Sequence, residues 1–171
     1  LFIRTEGGFL GRRVVVWLYD LAAGRYDGIK QFDPDTESAF VTWPLRRRLK
    51  AWPAPLVLDV ATGTGRLPYF LLQEPDFNGR VVGLDASAGM LARAREKLAP
   101  FGDRAALVRQ SAMRLPFADG TFAAVTCLEA LEFLPDDAAA LQEMARVLRP
   151  GGVLLVSRRQ GPDAPFFLGH A

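Results

Sequence analysis

Between residues 55 and 157 the chain alternates two kinds of apolar pattern. Short, nearly continuous apolar runs rich in β-branched residues cover 55–60, 79–84, 105–109, 121–128 and 153–157. Between them, apolar positions recur at helical intervals over 66–73 and 87–98, and again in a segment capped by Asp136 or Asp137 that reaches Leu148. Strand interiors that stay apolar belong to strands covered on both faces, and strands separated by helices belong to a parallel sheet. The pattern predicts a doubly wound α/β domain with helices on both faces of the sheet.

The ends read differently. Residues 12–30 carry Val15, Leu18, Tyr19 and Tyr26 at helix-like intervals, interrupted at Gly24 and Gly28, which predicts one or two short helices. A loop at 31–34 leads to Asp35-Thr36, a cap for a helix reaching Lys50 with a bend at Pro44. Arg46, Arg47 and Arg48 on that helix point about 100° apart, so they read as a solvated face rather than a patch. Residues 1–50 are expected to form a helical cap and 51–171 the sheet domain, the two making one compact unit. Residues 161–171 read as loop, and Pro150-Gly151-Gly152 as a turn.

Composition narrows the chemistry. With 171 residues, half of them hydrophobic, the chain has material for one core. A single cysteine, Cys127, excludes an intrachain disulfide, and with the lone His170 it leaves almost no soft metal ligands and no Ser/His/Asp triad; no metal site is expected. A formal charge of +2 is not a nucleic-acid footprint, and no nucleic-acid partner is expected. The longest apolar candidate, residues 14–19, is far short of the roughly 18 needed to span a membrane. No secretory pattern is visible, so the expected compartment is the cytoplasm; a start at Leu1 without methionine raises the expectation that the chain is incomplete at its ends.

The first strand runs into Ala61-Thr62-Gly63-Thr64-Gly65. A glycine-rich turn between strand and helix lets backbone N–H groups crowd a ligand. Two carboxylates give that turn meaning. Asp59 ends an otherwise apolar strand where ligands bind in open α/β sheets, and a charge there attracts an ammonium or amide and repels phosphate. Asp85 ends the second strand about 22 residues after Gly63, the spacing of an acid that accepts from ribose hydroxyls, unless it merely caps the next helix, which Ser87 could do instead. An acid favouring a cation beside a ribose-binding acid fits S-adenosylmethionine (SAM) better than NAD. Pro68, standing where a dinucleotide site expects a small residue, points the same way.

At this point the chain resembles the class I SAM-dependent methyltransferases, in the subfamily that includes ubiquinone and menaquinone biosynthesis methyltransferases. The resemblance covers about residues 57–156. It rests on Val57-Leu58-Asp59-Val60-Ala61-Thr62-Gly63-Thr64-Gly65-Arg66, with Ala61 where the family usually has glycine, and on Gly83-Leu84-Asp85-Ala86-Ser87-Ala88-Gly89-Met90-Leu91. Ser111-Ala112-Met113-Arg114-Leu115-Pro116-Phe117 and residues 146–154 complete it. It implies a Rossmann-like fold whose C-terminal strands are expected to be missing here, which would leave the fifth strand as an exposed apolar edge, either because the chain is incomplete or for a partner to cover. It also implies SAM as cofactor and S-adenosylhomocysteine as product.

Carried over by motif, Asp59, Ala61, Thr62, Gly63 and Gly65 would surround the methionine end and Asp85 the ribose. Ala86 and Met90 would line the adenine pocket. Ser111 stands where the family commonly has aspartate, Ala112 or Met113 would offer a backbone N–H to the ring, and the Leu128 carbonyl would face the methionine end. Phe133 replaces a histidine common after the fourth strand, which removes the obvious base and leaves the catalytic residue unknown. Glu129 and Glu132 could orient an acceptor or simply pair with an arginine. Tyr19-Asp20 and Tyr26-Asp27 resemble the family's N-terminal lid elements, and Phe32, Phe40 and Trp43 could line an apolar acceptor pocket.

The leading expectation is an enzyme that methylates a small apolar or aromatic molecule by in-line displacement, working as monomer or homodimer. A non-catalytic SAM-binding protein, an RNA or protein methyltransferase and an NAD-dependent oxidoreductase are the competing readings.

Overall fold

The computed structural model describes residues 12–24, 26, 38–157 and 167–169. In chain order the elements are α1 (Arg12–Ala22), α2 (Trp43–Leu49), β1 (Leu56–Val60), α3 (Arg66–Gln73), β2 (Arg80–Asp85), α4 (Ala88–Leu98), β3 (Ala105–Arg109), β4 (Phe122–Cys127), α5 (Asp137–Val147), β5 (Leu148–Val156) and β6 (Phe167–Gly169). The strands form one sheet in the order β3-β2-β1-β4-β5-β6. The first five are parallel and β6 is antiparallel to β5. This is the doubly wound, Rossmann-like architecture that the apolar runs predict.

Strand alternation divides the core between the two faces. Val57 of β1 packs with Leu45, Leu71 and Ala94 of α2, α3 and α4. Leu58 and Val60 pack with Ala140, Met144 and Val147 of α5. Every residue of β4 is buried, as a central strand requires. Residues at the carboxyl ends of β1, β2 and β4 therefore emerge along one rim, with β1 and β4 flanking the point where strand order reverses.

Four expectations change. Residues 43–49 are α-helical, but the preceding Ser38–Thr42 is π-helical, so the bend precedes Pro44, which sits in the first turn where no N–H is lost. The expected loop at 31–34 and the Asp35-Thr36 cap lie outside the described residues. The arginine run is not uniformly solvated: Arg46 is half-buried and pairs with Glu74 and Asp76, whereas Arg47 and Arg48 are exposed, Arg47 lying 5.0 Å from the Trp43 ring centre. Strand β5 begins at Leu148 rather than 153, because β4 and β5 re-register from Phe122↔Leu148 to Ala124↔Val153 across the Pro150-Gly151-Gly152 turn, with Gly151 at φ +75°.

The fourth change concerns the edge. Residues 167–169, expected as loop, pair along Leu154–Val156 and supply the backbone partners that an uncovered fifth strand would lack.

The first helix packs on α4. The Asp20 carboxylate accepts from the Gly89 N–H at 2.8 Å and from the Ser87 hydroxyl, closing the N-terminal end of α4. A Cβ at Gly89 would stand 3.0 Å from the Asp20 backbone, so glycine is what permits the approach.

Candidate functional site

Two recesses open along the rim formed by the carboxyl ends of β1, β2 and β4. The larger, about 830 Å³ and open to solvent, is lined by Ala86, Met90, Gln110, Ser111 and Ala112 on one side and Tyr19, Tyr26 and Phe133 on the other. The smaller, about 410 Å³, is lined by Asp59, Thr62, Thr64 and Arg66. Tyr26, Ala61, Gly63, Leu128 and Glu129 line both. The two recesses thus form one elongated cleft with the Gly63 turn at its waist.

The turn is built tightly. Thr62 N–H donates to the Leu84 carbonyl at 3.0 Å and Gly65 N–H to the Thr62 carbonyl at 2.9 Å. Gly63 (φ +57°) and Gly65 (φ +78°) are both left-handed, but their surroundings differ. A Cβ on Gly63 would meet no atom within 4 Å, so its bare backbone faces the cleft. A Cβ on Gly65 would stand 3.1 Å from Leu98 and 3.2 Å from Ala94, so this glycine serves the packing of α3 on α4 and lies outside both recesses. Ala61 also sits at φ +57°, which explains why a glycine suits this position and marks the alanine as strained.

Asp59 is buried on β1 opposite Thr126 of β4. Its carboxylate accepts from the Thr126 hydroxyl at 2.6 Å and the Thr62 hydroxyl at 2.7 Å. Burial pushes its carboxyl up to about 6; the two hydroxyls and the nearby Arg66 charge restrain that rise. The hydroxyls satisfy its oxygens without neutralising its charge, so a cation entering the smaller recess finds a desolvated anion beneath it.

Asp85 accepts from the N–H groups of Gly63 and Ser87, both at 2.8 Å. Burial raises its carboxyl too, against these amide bonds. It does not cap α4: the Ser87 hydroxyl does that, accepting from Met90 N–H at 3.0 Å. Asp85 instead braces the Gly63 turn and lines the larger recess, each oxygen keeping lone-pair capacity for a hydroxyl donor.

Past β4 the chain turns back over the cleft. Glu129 sits at φ +53°, its N–H held by the Ser157 hydroxyl at 2.8 Å and its carboxylate 3.0 Å from the Arg66 guanidinium. Phe133 meets Tyr19 edge-to-face at 6.3 Å, and Tyr19 meets Tyr26 at 6.0 Å, so helix α1 closes one side of the cleft with an aromatic cluster.

Of the residues singled out from sequence, Ala61, Gly63, Asp85, Ala86, Met90, Ser111, Ala112, Leu128, Tyr19, Tyr26, Glu129 and Phe133 line the larger recess, and Asp59 and Thr62 the smaller. Gly65, Met113 and Glu132 line neither; Met113 N–H is taken by the Ser111 hydroxyl at 3.2 Å. Phe40 and Trp43 are exposed, 61% and 48%, away from the cleft, and Phe32 lies outside the described residues. Sequence reasoning missed Val16, Gln110 and Arg66. Gln110 directly follows β3, so the rule that ligands gather at carboxyl ends of strands would have found it. Arg66 heads the helix after the turn.

The cleft can take an adenosine along its apolar, Asp85-bearing arm and a short cationic group beside Asp59. A cofactor with those parts fits the residues present: the open face at Gly63 admits it, and Asp59 opposes its positive charge.

Comparison with known proteins agrees with this architecture. The methyltransferase domain family matches residues 57–152. A demethylmenaquinone methyltransferase from Lactiplantibacillus plantarum is 45% identical over 111 residues, which is 64% of this chain and 47% of that protein. The [4+2]-cyclase SpnF shares the fold with a TM-score of 0.69 at 24% identity, over 83% of this chain and 58% of its own. A SAM-dependent methyltransferase from Aquifex aeolicus does so with a TM-score of 0.62 at 24% identity, over 78% and 74%. The chain spans about half the length of the curated relatives it matches.

Proposed function

The chain belongs to the methyltransferase domain family, and on that premise we propose that it binds SAM in the rim cleft and methylates a small apolar acceptor of the quinone type. The observation that carries the cofactor reading is Asp85, which leaves the capping of α4 to Ser87 and faces the larger recess beside the bare Gly63 backbone. Ribose hydroxyls are its natural donors. The adenine would lie between Ala86, Met90 and the segment from Gln110 to Ala112. The methionine end would occupy the smaller recess, where Asp59 supports its positive charge.

SAM, once bound, supplies a methyl group already activated on a sulfonium, so the chain's task is to hold an acceptor in line and keep water out. Tyr19, Tyr26 and Phe133 form the apolar wall suited to a flat acceptor, and helix α1, tied to α4 through Asp20, acts as the cap. The quinone class is supported by the demethylmenaquinone methyltransferases among the relatives and by this aromatic wall. Phe133 offers no proton acceptor, which puts Glu129 nearest to the role of orienting a polar group on the acceptor.

Calorimetric titration with SAM, S-adenosylhomocysteine and NAD tests the cofactor assignment. Micromolar binding of the first two and none of NAD is expected; NAD binding would favour an oxidoreductase. Transfer from methyl-labelled SAM to a demethylated quinone tests the acceptor, and SAM binding without transfer to any acceptor would favour a non-catalytic role.

A further inference from the structure

Helix α1 is apolar on two opposite sides, and the cleft uses only one of them. At about 100° per residue, Val16 and Tyr19 share the side that lines the larger recess. Val14, Trp17 and Leu21 fall within about 60° of one another on the other side. There Trp17 is 60% and Leu21 73% exposed, with Val14 exposed beside them. A helix apolar all round belongs in an interior, yet this one is open along a whole side. The exposure is local to this part of the chain. Among the described residues the exposed large apolar side chains are these three with Phe40 and Trp43, all ahead of β1, and from residue 44 to 157 there is none. Charge accompanies them with one sign. Helix α1 opens with Arg12-Arg13, and Phe40 and Trp43 are followed by the exposed Arg47, Arg48 and Lys50. The single acid of α1, Asp20, has its carboxylate engaged by the Gly89 N–H and the Ser87 hydroxyl.

We propose that the outer side of α1 docks on an anionic lipid bilayer, with Val14, Trp17 and Leu21 entering the boundary between headgroups and acyl chains and the arginines that open the helix supplying charge complementary to the headgroups. A short helix with an apolar stripe, a tryptophan and basic residues is the composition that lies in a bilayer surface. No described helix is long and apolar enough to cross a membrane, so the contact is with one leaflet. Val14 and Leu21 argue against RNA as the occupant, since aliphatic side chains neither stack on bases nor meet phosphates. A second copy in a two-fold dimer would set this surface against itself, arginines towards arginines, with no carboxylate of α1 left to separate them. The docking surface stands apart from the cofactor reading; its link to the cleft rests on the apolar acceptor proposed above. An acceptor dissolved in the bilayer would reach the cleft beside the helix whose inner side, Val16 and Tyr19, forms the wall.

Co-sedimentation with phosphatidylcholine vesicles, with and without about one-third phosphatidylglycerol, tests the surface. The wild-type chain is expected to partition at least about fivefold more strongly onto the anionic vesicles. The double variant Trp17→Ser/Leu21→Ser should lose about tenfold or more of that partition, with its melting temperature little changed because both side chains are exposed. Binding that ignores the phosphatidylglycerol, or that survives the double substitution, overturns the proposal. A second measurement reads the position of α1 directly. Lipids brominated on their acyl chains are expected to quench the tryptophan fluorescence of the wild-type chain, and Trp17→Phe should remove most of that quenching; unaltered quenching in Trp17→Phe overturns the placement. If vesicles are not bound, while light scattering shows a dimer that Leu21→Ser dissociates, the surface belongs to a second copy. Retention of single-stranded RNA in place of vesicles would likewise overturn the bilayer. Vesicle binding needs no cofactor, so its failure leaves the SAM assignment standing, and a chain that binds vesicles without SAM overturns only that assignment.

Discussion

Two carboxylates on opposite sides of the sheet show how differently one fold can treat the same group. Asp59, at the carboxyl end of β1, is buried and pushed up to about 6, held only by two threonine hydroxyls and the field of Arg66. Glu143 on α5 is drawn down to about 2, because the Arg146 guanidinium grips both its oxygens at 2.7 and 2.8 Å and the Leu115 N–H donates to it at 2.8 Å. Arg146 also donates to the carbonyls of Leu115 and Phe117 and to Asp119, so this compensated cluster staples the loop before β4 onto α5. That loop begins at the cleft wall, at Gln110 and Ser111. Charge is saturated at the staple that holds this loop, whereas at Asp59 it is met only by hydroxyls and the field of a neighbouring guanidinium.

The largest effect that would break this contrast is at the waist of the cleft. Gly63→Val places a β-branched side chain at φ +57° and fills the open space before the backbone. The strain costs on the order of 1–3 kcal/mol, and the filled approach is expected to weaken SAM binding by about a hundredfold or more. Affinity retained within about tenfold in a folded variant would move the cofactor out of this cleft. Next in size is Asp85→Ala. It removes an acceptor of charge-assisted bonds, worth about 1–3 kcal/mol of SAM affinity. An unchanged dissociation constant would leave Asp85 as a brace for the Gly63 turn and nothing more.

Asp59→Asn sharpens the comparison because stability and binding are expected to move in opposite directions. A carboxyl whose pKa is raised on folding, here from 3.8 to about 6, favours the folded state below the unfolded value and loses that contribution as pH rises through the folded one. Asparagine removes the buried charge, so at pH 8 the variant is expected to be more stable by about 1–3 kcal/mol, read by denaturant unfolding. SAM affinity should fall at the same time, as the anion opposite its positive end is gone. Glu143→Gln gives the reverse sign. A carboxyl lowered from 4.5 to about 2 contributes its stability above the unfolded value and loses it as pH falls through the folded one. The variant is therefore expected to melt lower at pH 7 and to show a flatter loss of melting temperature between about pH 4.5 and 2, with cofactor affinity little changed. Matching signs for the two variants would dissolve the distinction between the clusters.

The sequence displayed most of the first region and little of the second. Parallel strands buried on both faces leave unbroken apolar runs, so β1 to β4 could be read with their ends nearly in place, and the strand-end rule then marked Asp59 and Asp85. Glu143 and Arg146 look like any solvated pair one turn apart, and nothing in their spacing reveals that loop carbonyls converge on the guanidinium. Arg66 was hidden for the same reason, since a charged residue in the first turn of a helix ordinarily points to water. Glu129 was marked by its place after β4, but its backbone was not, because glutamate carries no preference for a left-handed conformation. The short β6 escaped because Phe167–Gly169 is too brief for a periodicity and becomes a strand only by pairing with β5.

The smallest effect separates strain that serves the ligand from strain that is merely tolerated. Ala61 and Glu129 both adopt positive φ at the cleft, at +57° and +53°. For Ala61 the side chain is a methyl group with no charge to deliver, and the left-handed conformation costs it roughly 1–2 kcal/mol relative to the right-handed one. Ala61→Gly relieves that cost but admits about 0.5–1 kcal/mol of extra unfolded-chain entropy. A net gain below about 1 kcal/mol is expected, with SAM affinity unchanged within about twofold. Glu129→Gly relieves comparable strain while removing the carboxylate opposite Arg66 on the cleft wall, so any gain in stability should come with a loss of SAM affinity beyond about twofold. If the two glycine variants bind alike, the strain at Glu129 has no bearing on the ligand, and the contrast between compensated and uncompensated charge ends at Asp59.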